Sequence, residues 1–558
     1  MSRDPRADAE RLQSIQRCAQ AREFGRAAEL ADAALAAGLE HPLVLNVLAL
    51  RHEHAGRLTE AEQLLRRAVV LAPKDRAVRN ALGLCLLRLE RYSEALEQFD
   101  ALAADEPTSP YPHANRGAAL FALARVGEAG RAFQRALELD SRQPGALVGL
   151  ARIASYRGAY TQARAWGEQA LSLLPGFPDA MLSLATVELG EKEPVAAEAR
   201  LRALLAQPDI SSQLRAEAEG LLGDALDFQG RTTAAFAAYT RCNAQQRQAY
   251  AGRFASASQS AVGYARSLVD YLRRADAALW RTSAAPDRIS CAAGHIFVLG
   301  FPRSGTTLLE MVLEGHAQVV SVEESESLID GIQRFMQRPQ DLDEFARAPA
   351  AVHDSLRAAY WSRVAEAGAD VAGRIFVDKN PLNTLKLPLI ARLFPGAKIL
   401  FACRDPRDVV LSCFRHRFRM SAPLYELLTL EGAAQYYDAV MRVLLECERL
   451  LPLDIRLVRH EDVVTEFERE MRRLCDFLGL EWQPAMADFA PRTRARERLT
   501  PSTAQLAKGL NAAGLGHWRR YRPELEPVLP VLAPWVEHFS YGEPGTSGGL
   551  SRGAILPR

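Results

Sequence analysis

His295 to Thr307 reads HIFVLGFPRSGTT. The run His295–Leu299 is apolar and suits a buried strand, Gly300 to Gly305 form a tight turn, and a helix is expected to open at Thr306. A strand, a glycine-bounded loop and a helix N-terminus together form an anion site. Backbone N–H groups converge on the ligand and the helix dipole adds partial positive charge. Gly300 and Gly305 have the spacing of a GxxxxGK[ST] nucleotide loop, but Thr306 stands where the lysine would be, followed by Thr307. The only cation of the loop is Arg303. Such a loop suits one terminal phosphate or sulfate ester rather than a triphosphate–metal group.

From Cys291 onward, short β-branched runs alternate with amphipathic stretches. Strands are expected at Ile296–Leu299, Val319–Val322, Ile375–Asp378, Lys398–Cys403 and Ile455–Val458. Helices are expected at Thr306–Glu314, Leu385–Phe394, Asp408–Arg417, Ala433–Leu450 and Phe467–Leu478. This alternation predicts an α/β domain with a parallel sheet covered on both faces and ligands at the strands' carboxyl ends. A second polar cluster, CRDPRDVVLS, begins at Cys403. Arg404 ends a strand, Pro406 suits the first turn of a helix, and Ser412 lies about two turns further on. Arginine plus hydroxyl makes a monophosphate clamp; the competing reading is a salt-bridge set around Asp405 and Asp408.

The first half follows another clock. Ala27, Ala61, Ala95, Ala129, Ala163 and Ala197 fall 34 residues apart. Leu65, Phe99 and Phe133 fill a large apolar slot, Ala34, Ala68, Ala136 and Ala170 a small one, and Pro73, Pro107 and Pro175 close units. This pattern resembles the tetratricopeptide repeat (TPR), an all-α superhelix of stacked helix pairs whose groove binds peptides or proteins or serves self-association. Six units are in register. A shifted seventh is expected near residues 212–247, with Ala234 three residues late. The expected organisation is repeats over 1–247, a linker over 248–290 with one helix at Ser260–Trp280, the α/β domain over 291–541, and a disordered Gly/Ser/Pro-rich tail over 542–558.

With 558 residues, more than one domain is required. Apolar residues make up 48% and charged residues 25%, the balance of a soluble globular chain. A net charge of +1 gives no reason to expect nucleic acid as a partner. The eight cysteines lack CxxC spacing, so neither a zinc site nor a disulfide framework is signalled. No signal-peptide core and no run of 18 apolar residues is present, so a cytoplasmic chain without a membrane span is expected.

PRSGTT after a strand, followed about 100 residues later by CRDPRDVVLS, resembles the 5′-phosphosulfate and 3′-phosphate loops of sulfotransferases. These enzymes move a sulfuryl group from 3′-phosphoadenosine 5′-phosphosulfate (PAPS) to a hydroxyl or amine, leaving 3′,5′-adenosine bisphosphate (PAP). The sequence is most similar to the protein-tyrosine sulfotransferase branch and to bacterial sulfotransferases with tetratricopeptide repeats. The resemblance spans roughly Ile296–Tyr541 and implies a site. Arg303, Ser304, Gly305, Thr306 and Thr307 match the 5′ loop, and Arg404 and Ser412 match the 3′-phosphate clamp. Glu324 in VEESES matches the general base, with Glu323 the alternative. Lys379 in VDKNP matches the catalytic lysine, and Ser502 matches a serine on the transferring sulfate. No metal is implied.

Two positions depart from the branch. His460 replaces a tyrosine after the last strand. Gly516-His517-Trp518 replaces a Ser–basic–Trp pattern, leaving His517 as a partly charged donor to the 3′-phosphate. The implied partners are a protein or peptide in the repeat groove, the nucleotide, and a second copy in a homodimer. The acceptor stays open between a peptide tyrosine and a small hydroxylated metabolite, lipid or saccharide. A P-loop kinase or NTPase with a degenerate loop, and a non-catalytic repeat scaffold, are the competing classes.

Overall fold

The computed structural model describes residues 5–208, 210–255, 260–281, 287, 289–322, 324–495, 506 and 509–542. The expected tail beyond residue 542 lies outside them. Two compact units are present, one reaching Val187 and the other starting at Glu188.

The helices begin as pairs. They are α1 (Pro5–Gln20) with α2 (Phe24–Ala36), α3 (Pro42–His54) with α4 (Leu58–Leu71), α5 (Arg76–Arg88) with α6 (Tyr92–Asp105), and α7 (Pro110–Ala122) with α8 (Val126–Leu139). Then come α9 (Pro144–Tyr156) with α10 (Tyr160–Leu173), the helices α11 (Pro178–Gly190) and α12 (Pro194–Leu205), and α13 (Ser212–Phe228) with α14 (Thr232–Phe254). The period-34 alanines are the reason the pairs close. Ala27, Ala61, Ala95, Ala129, Ala163 and Ala197 are all fully buried, where a larger side chain would push helix axes apart. Pro42, Pro110, Pro144 and Pro194 sit in first turns, where a missing N–H costs nothing.

A second device recurs with the alanines. A Cβ on Gly83 would lie 2.6 Å from the Phe99 ring, and one on Gly117 would lie 2.6 Å from Phe133. Phe133 also meets Gly149 of the next pair, where a Cβ would approach to 2.3 Å. Each aromatic is seated because a glycine faces it. The seventh pair keeps this spacing with Gly223 and Tyr239, 2.4 Å by the same measure. There the buried small residue is Ala235, not Ala234, which is only half-buried. The shift has a simple cause. Helix α13 has 17 residues against 13 in α3, α5, α7, α9 and α11, and four residues add about one helical turn while preserving the buried face.

Beyond the pairs, the expected single helix over Ser260–Trp280 is two, α15 (Ala261–Arg274) and α16 (Ala277–Arg281). The helix breaks because Ala275 is extended and Asp276 accepts a hydrogen bond from the Ala278 N–H, as an N-cap does.

Five strands follow: β1 (Gly294–Leu299), β2 (Val319–Val322), β3 (Ile375–Lys379), β4 (Lys398–Cys403) and β5 (Asp454–Arg459). All pairings are parallel, in the order β2-β3-β1-β4-β5. Helix α17 (Thr306–Leu313) follows β1, and α18 (Ile329–Phe335), α19 (Asp341–Arg347) and α20 (Ala350–Glu366) separate β2 from β3. Between β3 and β4 a 3₁₀ turn (Pro381–Lys386) runs into α21 (Leu387–Leu393), so the helix expected at Leu385–Phe394 opens two residues later. Helices α22 (Pro406–Arg415), α23 (Ala422–Glu426) and α24 (Leu430–Leu450) precede β5, and α25 (His460–Thr465) and α26 (Phe467–Leu478) follow it. Helix α22 starts two residues before the expected Asp408 because Asp405 caps it, accepting from the Arg407 N–H at 3.0 Å.

Both faces of the sheet are covered. Ile296 and Val298 pack with Leu308, Leu309 and Val312 of α17. On the other face Phe297 meets Tyr360 and Phe394, and Phe376 meets Trp361.

Two glycine substitutions separate packing from propensity. Gly149→Ala forces a methyl into the Phe133 ring and is expected to destabilise by about 1–3 kcal/mol in urea titrations. Gly130→Ala, in mid-α8 with Ile153 Cδ1 at an ordinary 3.8 Å, is expected to stabilise by about 1 kcal/mol.

Candidate functional site

The carboxyl ends of all five strands deliver a polar group to one region. Arg303 follows β1, Glu324 follows β2, Lys379 ends β3, Arg404 follows β4 and His460 follows β5. Arg303, Gly305, Thr306, Thr307, Glu324, Arg404 and His460 line one cleft. Asn380, Pro381, Leu382, Phe418 and Leu424 line it too.

The loop after β1 is held tightly. Gly300 lies so close to the Ala402 carbonyl and Ser304 Oγ that a Cβ would meet them at 2.6 and 2.7 Å. Thr384 Oγ1 donates to the Gly300 carbonyl at 2.8 Å. Ser304 is buried and its Oγ accepts from the Phe301 N–H at 3.4 Å, so this hydroxyl shapes the loop. Arg303 has φ 70° and Gly305 φ 104°. At Gly305 a Cβ would also lie 2.7 Å from His460 Nδ1, so only glycine fits. The turn leads into α17, whose first residues are Thr306 and Thr307. N–H groups of a helix's first turn have no partner within the helix.

Arg303 Nε donates to Ser412 Oγ at 3.2 Å, bringing the two expected loops together. Burial pushes the Arg303 guanidinium down to about 10, with Arg404 and Arg415 adding repulsion, so it stays charged at neutral pH. Arg404 donates through Nη2 to the Gly514 carbonyl and lies 3.9 Å from Asp408. Its buried Nε has no hydrogen-bond partner among the described residues. The Asp405/Asp408 alternative is therefore present as well: Asp405 pairs with Arg407 at 2.7 Å, and Asp408 accepts from the Gly516 and Trp518 N–H groups at 2.7 and 2.8 Å. Those contacts hold the backbone and leave Arg404 facing the cleft.

Lys379 is fully buried between two carboxylates. Its Nζ donates to Glu324 Oε1 at 2.8 Å and lies 3.4 Å from Glu310 Oε2. Glu310 is fully buried, whereas the Glu324 side chain is half open to the cleft. Sequence reasoning missed Glu310, although it stands four residues after Thr306 and so on the same face of α17. His460 is depressed to about 3, by burial first and then by Arg404 and Arg303, so its ring is neutral beside the loop. His517 does not line the cleft. Its Nε2 lies 3.3 Å from Asp227 Oδ2 on α13. Ser502 and Glu323 lie outside the described residues.

The arrangement can bind an anion at Arg303, Arg404 and the α17 N-terminus, and can take a proton at Glu324. Glu310→Gln leaves the buried Lys379 ammonium with Glu324 as its remaining carboxylate and is expected to cost about 1–3 kcal/mol in chemical denaturation. A neutral His460 gives no NMR titration step between pH 5 and 8. Its depressed pKa means that the fold loses stability as pH falls below the ordinary histidine value toward 3.

Residues 295–484 match the model described as the sulfotransferase family, and residues 19–76 and 52–117 match tetratricopeptide-repeat models. An uncharacterised protein of Aquifex aeolicus (strain VF5) is 28% identical over 249 residues, covering 42% of this chain and 32% of that protein. The protein-tyrosine sulfotransferase of Drosophila melanogaster is 27% identical over 270 residues, covering 45% of this chain and 54% of that protein. The matches thus span about a third and about half of these relatives. The sulfotransferase domain of the Synechococcus PCC 7002 olefin synthase aligns at 20% identity with a TM-score of 0.30, over 47% of this chain and 100% of that one. No described helix is long and apolar enough to cross a membrane.

Proposed function

We propose that this chain, a tetratricopeptide-repeat member of the sulfotransferase family, moves a sulfuryl group from PAPS to the hydroxyl of an acceptor, a phenol such as a peptide tyrosine foremost. The observation that carries this reading is the Glu324 carboxylate standing in the same cleft as Arg303, Thr306, Thr307 and Arg404. PAPS supplies an activated sulfate whose bond to the leaving phosphate breaks as the acceptor oxygen attacks. The donor set suits it: two guanidiniums, one with a buried N–H that has no partner among the described residues, and a helix N-terminus that favours negative charge.

Each residue then has a task. Thr306 and Thr307 hold the sulfate end, with Arg303 braced by Ser412. Arg404 holds the 3′-phosphate. Glu324 takes the phenol proton, which a group of pKa near 10 does not give up unaided at neutral pH. Lys379 orients Glu324 through a 2.8 Å hydrogen bond and, with Glu310 behind it, opposes charge gathering on the sulfuryl oxygens. Ser502 is assigned to the sulfate from the family pattern alone. His517, turned toward Asp227, is not assigned to the phosphate.

The acceptor side favours a phenol over a saccharide. Pro381, Leu382, Phe418 and Leu424 line the cleft that Glu324 opens into. A sugar ring would set most of its hydroxyls against these apolar side chains, with Asn380 the polar neighbour beside them, whereas a phenol ring buries apolar area there. The name carried by the Drosophila relative points the same way. The repeat groove is assigned to a protein or peptide, and self-association to a homodimer. A reducing, cytoplasmic setting accords with eight free cysteines.

Glu324→Gln is expected to lower kcat by about 10²–10⁴-fold while PAP still binds, measured by turnover beside calorimetry. Arg404→Ala is expected to weaken PAP by about tenfold or more. Near-normal kcat in the first variant would remove Glu324 as base. Binding of ATP–Mg²⁺ but not PAP would replace the sulfotransferase reading with a nucleotide triphosphatase.

A further inference from the structure

Helices α13 and α14 lie in the same compact unit as the sheet. They keep the repeat's glycine–aromatic pair, yet polar residues replace apolar ones around it. Four residues after the glycine, α5 has Leu87 and α7 has Phe121, whereas α13 has Asp227. The aromatic partner, Phe99 in α6 and Phe133 in α8, is Tyr239 in α14. These changes face α22 and the segment Gly514–Tyr521.

Asp227 is the hub. Its Oδ2 accepts from Arg415 Nη2 at 2.6 Å, and its Oδ1 accepts from the Tyr521 hydroxyl at 2.7 Å. Arg520 Nη2 donates to its backbone carbonyl at 2.9 Å, and His517 Nε2 stands 3.3 Å away. Burial pushes this carboxyl up, but His517, Arg415 and Tyr521 together pull it well below the usual carboxylate range. Around it, Asp224 accepts from Tyr239 at 2.9 Å and from Arg417 at 3.1 Å. Phe236 stacks on Phe414 at 5.0 Å, and Asn243 Nδ2 donates to the Phe414 carbonyl at 2.8 Å.

Both groups that Asp227 grips lead back to Arg404. Arg415 is the last residue of α22, which carries Asp408 and Ser412. Tyr521 and His517 belong to the segment whose Gly516 and Trp518 N–H groups bind Asp408 and whose Gly514 carbonyl accepts from Arg404. We propose that Asp227, on the last helix pair of the repeats, is a positioning residue for the 3′-phosphate of the donor, clasping α22 to the Gly514–Tyr521 segment so that Arg404 is held facing the cleft. This rests on the PAPS reading above. The last repeat pair is thereby part of the nucleotide site rather than only a docking module.

The test uses calorimetric titration of the full-length chain with PAP, thermal melts, and steady-state KM values for PAPS and acceptor. Asp227→Asn is expected to weaken PAP about tenfold and to raise the KM for PAPS without raising that for the acceptor. Asp224→Asn loses an ion pair from the same helix; among the described residues Asp224 hydrogen-bonds Tyr239 and Arg417 rather than residues 514–521. It is expected to lower the melting temperature comparably and to leave PAP affinity within about twofold. Tyr521→Phe removes one hydroxyl from the clasp and is expected to weaken PAP severalfold, which keeps the question answerable if Asp227→Asn fails to fold. Equal PAP affinity in wild type and Tyr521→Phe or Asp227→Asn overturns the positioning role, as does equal weakening by Asp224→Asn. Wild-type protein that binds no PAP overturns the donor reading itself, and the inference with it.

Discussion

Parallel pairing places the carboxyl end of every strand on one edge of the sheet, and the site depends on that constraint. No single segment contains the chemistry. Arg303, Glu324, Lys379, Arg404 and His460 come from five different strand ends, spread over more than 150 residues of chain, and meet because the strands run one way. The order β2-β3-β1-β4-β5 adds a second condition: the chain changes direction across β1, opening a crevice above it. The anion loop occupies that crevice. Gly300 and Gly305 are the two points where backbone must approach other groups more closely than any side chain permits.

The helical half obeys a different constraint, the closeness of neighbouring axes. Alanines at one period let the two helices of a pair meet, and glycines facing Phe99 and Phe133 seat the large residue that fills the space. Stability in such an array is the sum of many similar small contacts between neighbours. The site in the α/β half relies instead on a few irreplaceable ones, such as the buried Lys379 between Glu310 and Glu324.

Much of this was legible because it is local or periodic. The five strands lie within two residues of where β-branched runs put them, and the buried alanines are those that recur at period 34. The cleft gathers Arg303, Thr306, Thr307, Glu324 and Arg404, each of which has a motif neighbour to mark it. What was not legible depends on contacts between distant segments. Nothing near His517 announces that it turns to Asp227, almost 300 residues earlier. Glu310 looks like an ordinary helix-surface glutamate until Lys379 is set against it. The seventh repeat did carry a trace of its different surroundings. Asp227 and Tyr239 stand where α5–α8 have Leu87, Phe121, Phe99 and Phe133, a change of residue type that does not say why.

The unequal lengths of the repeats have an evolutionary consequence. Units resembling α5–α6 are interchangeable, since each offers its neighbours the same glycine, alanine and aromatic surfaces. A lineage can gain or shed 34 residues upstream of α13 and change the span of the array while the chemistry goes undisturbed. Helices α13 and α14 have lost that freedom. Their extra turn and acidic residues commit them to one neighbour, so duplication of this pair would yield a unit that stacks poorly on others. Variation in repeat number among descendants of this chain should therefore accumulate toward the N-terminus, with the final pair inherited together with the α/β half.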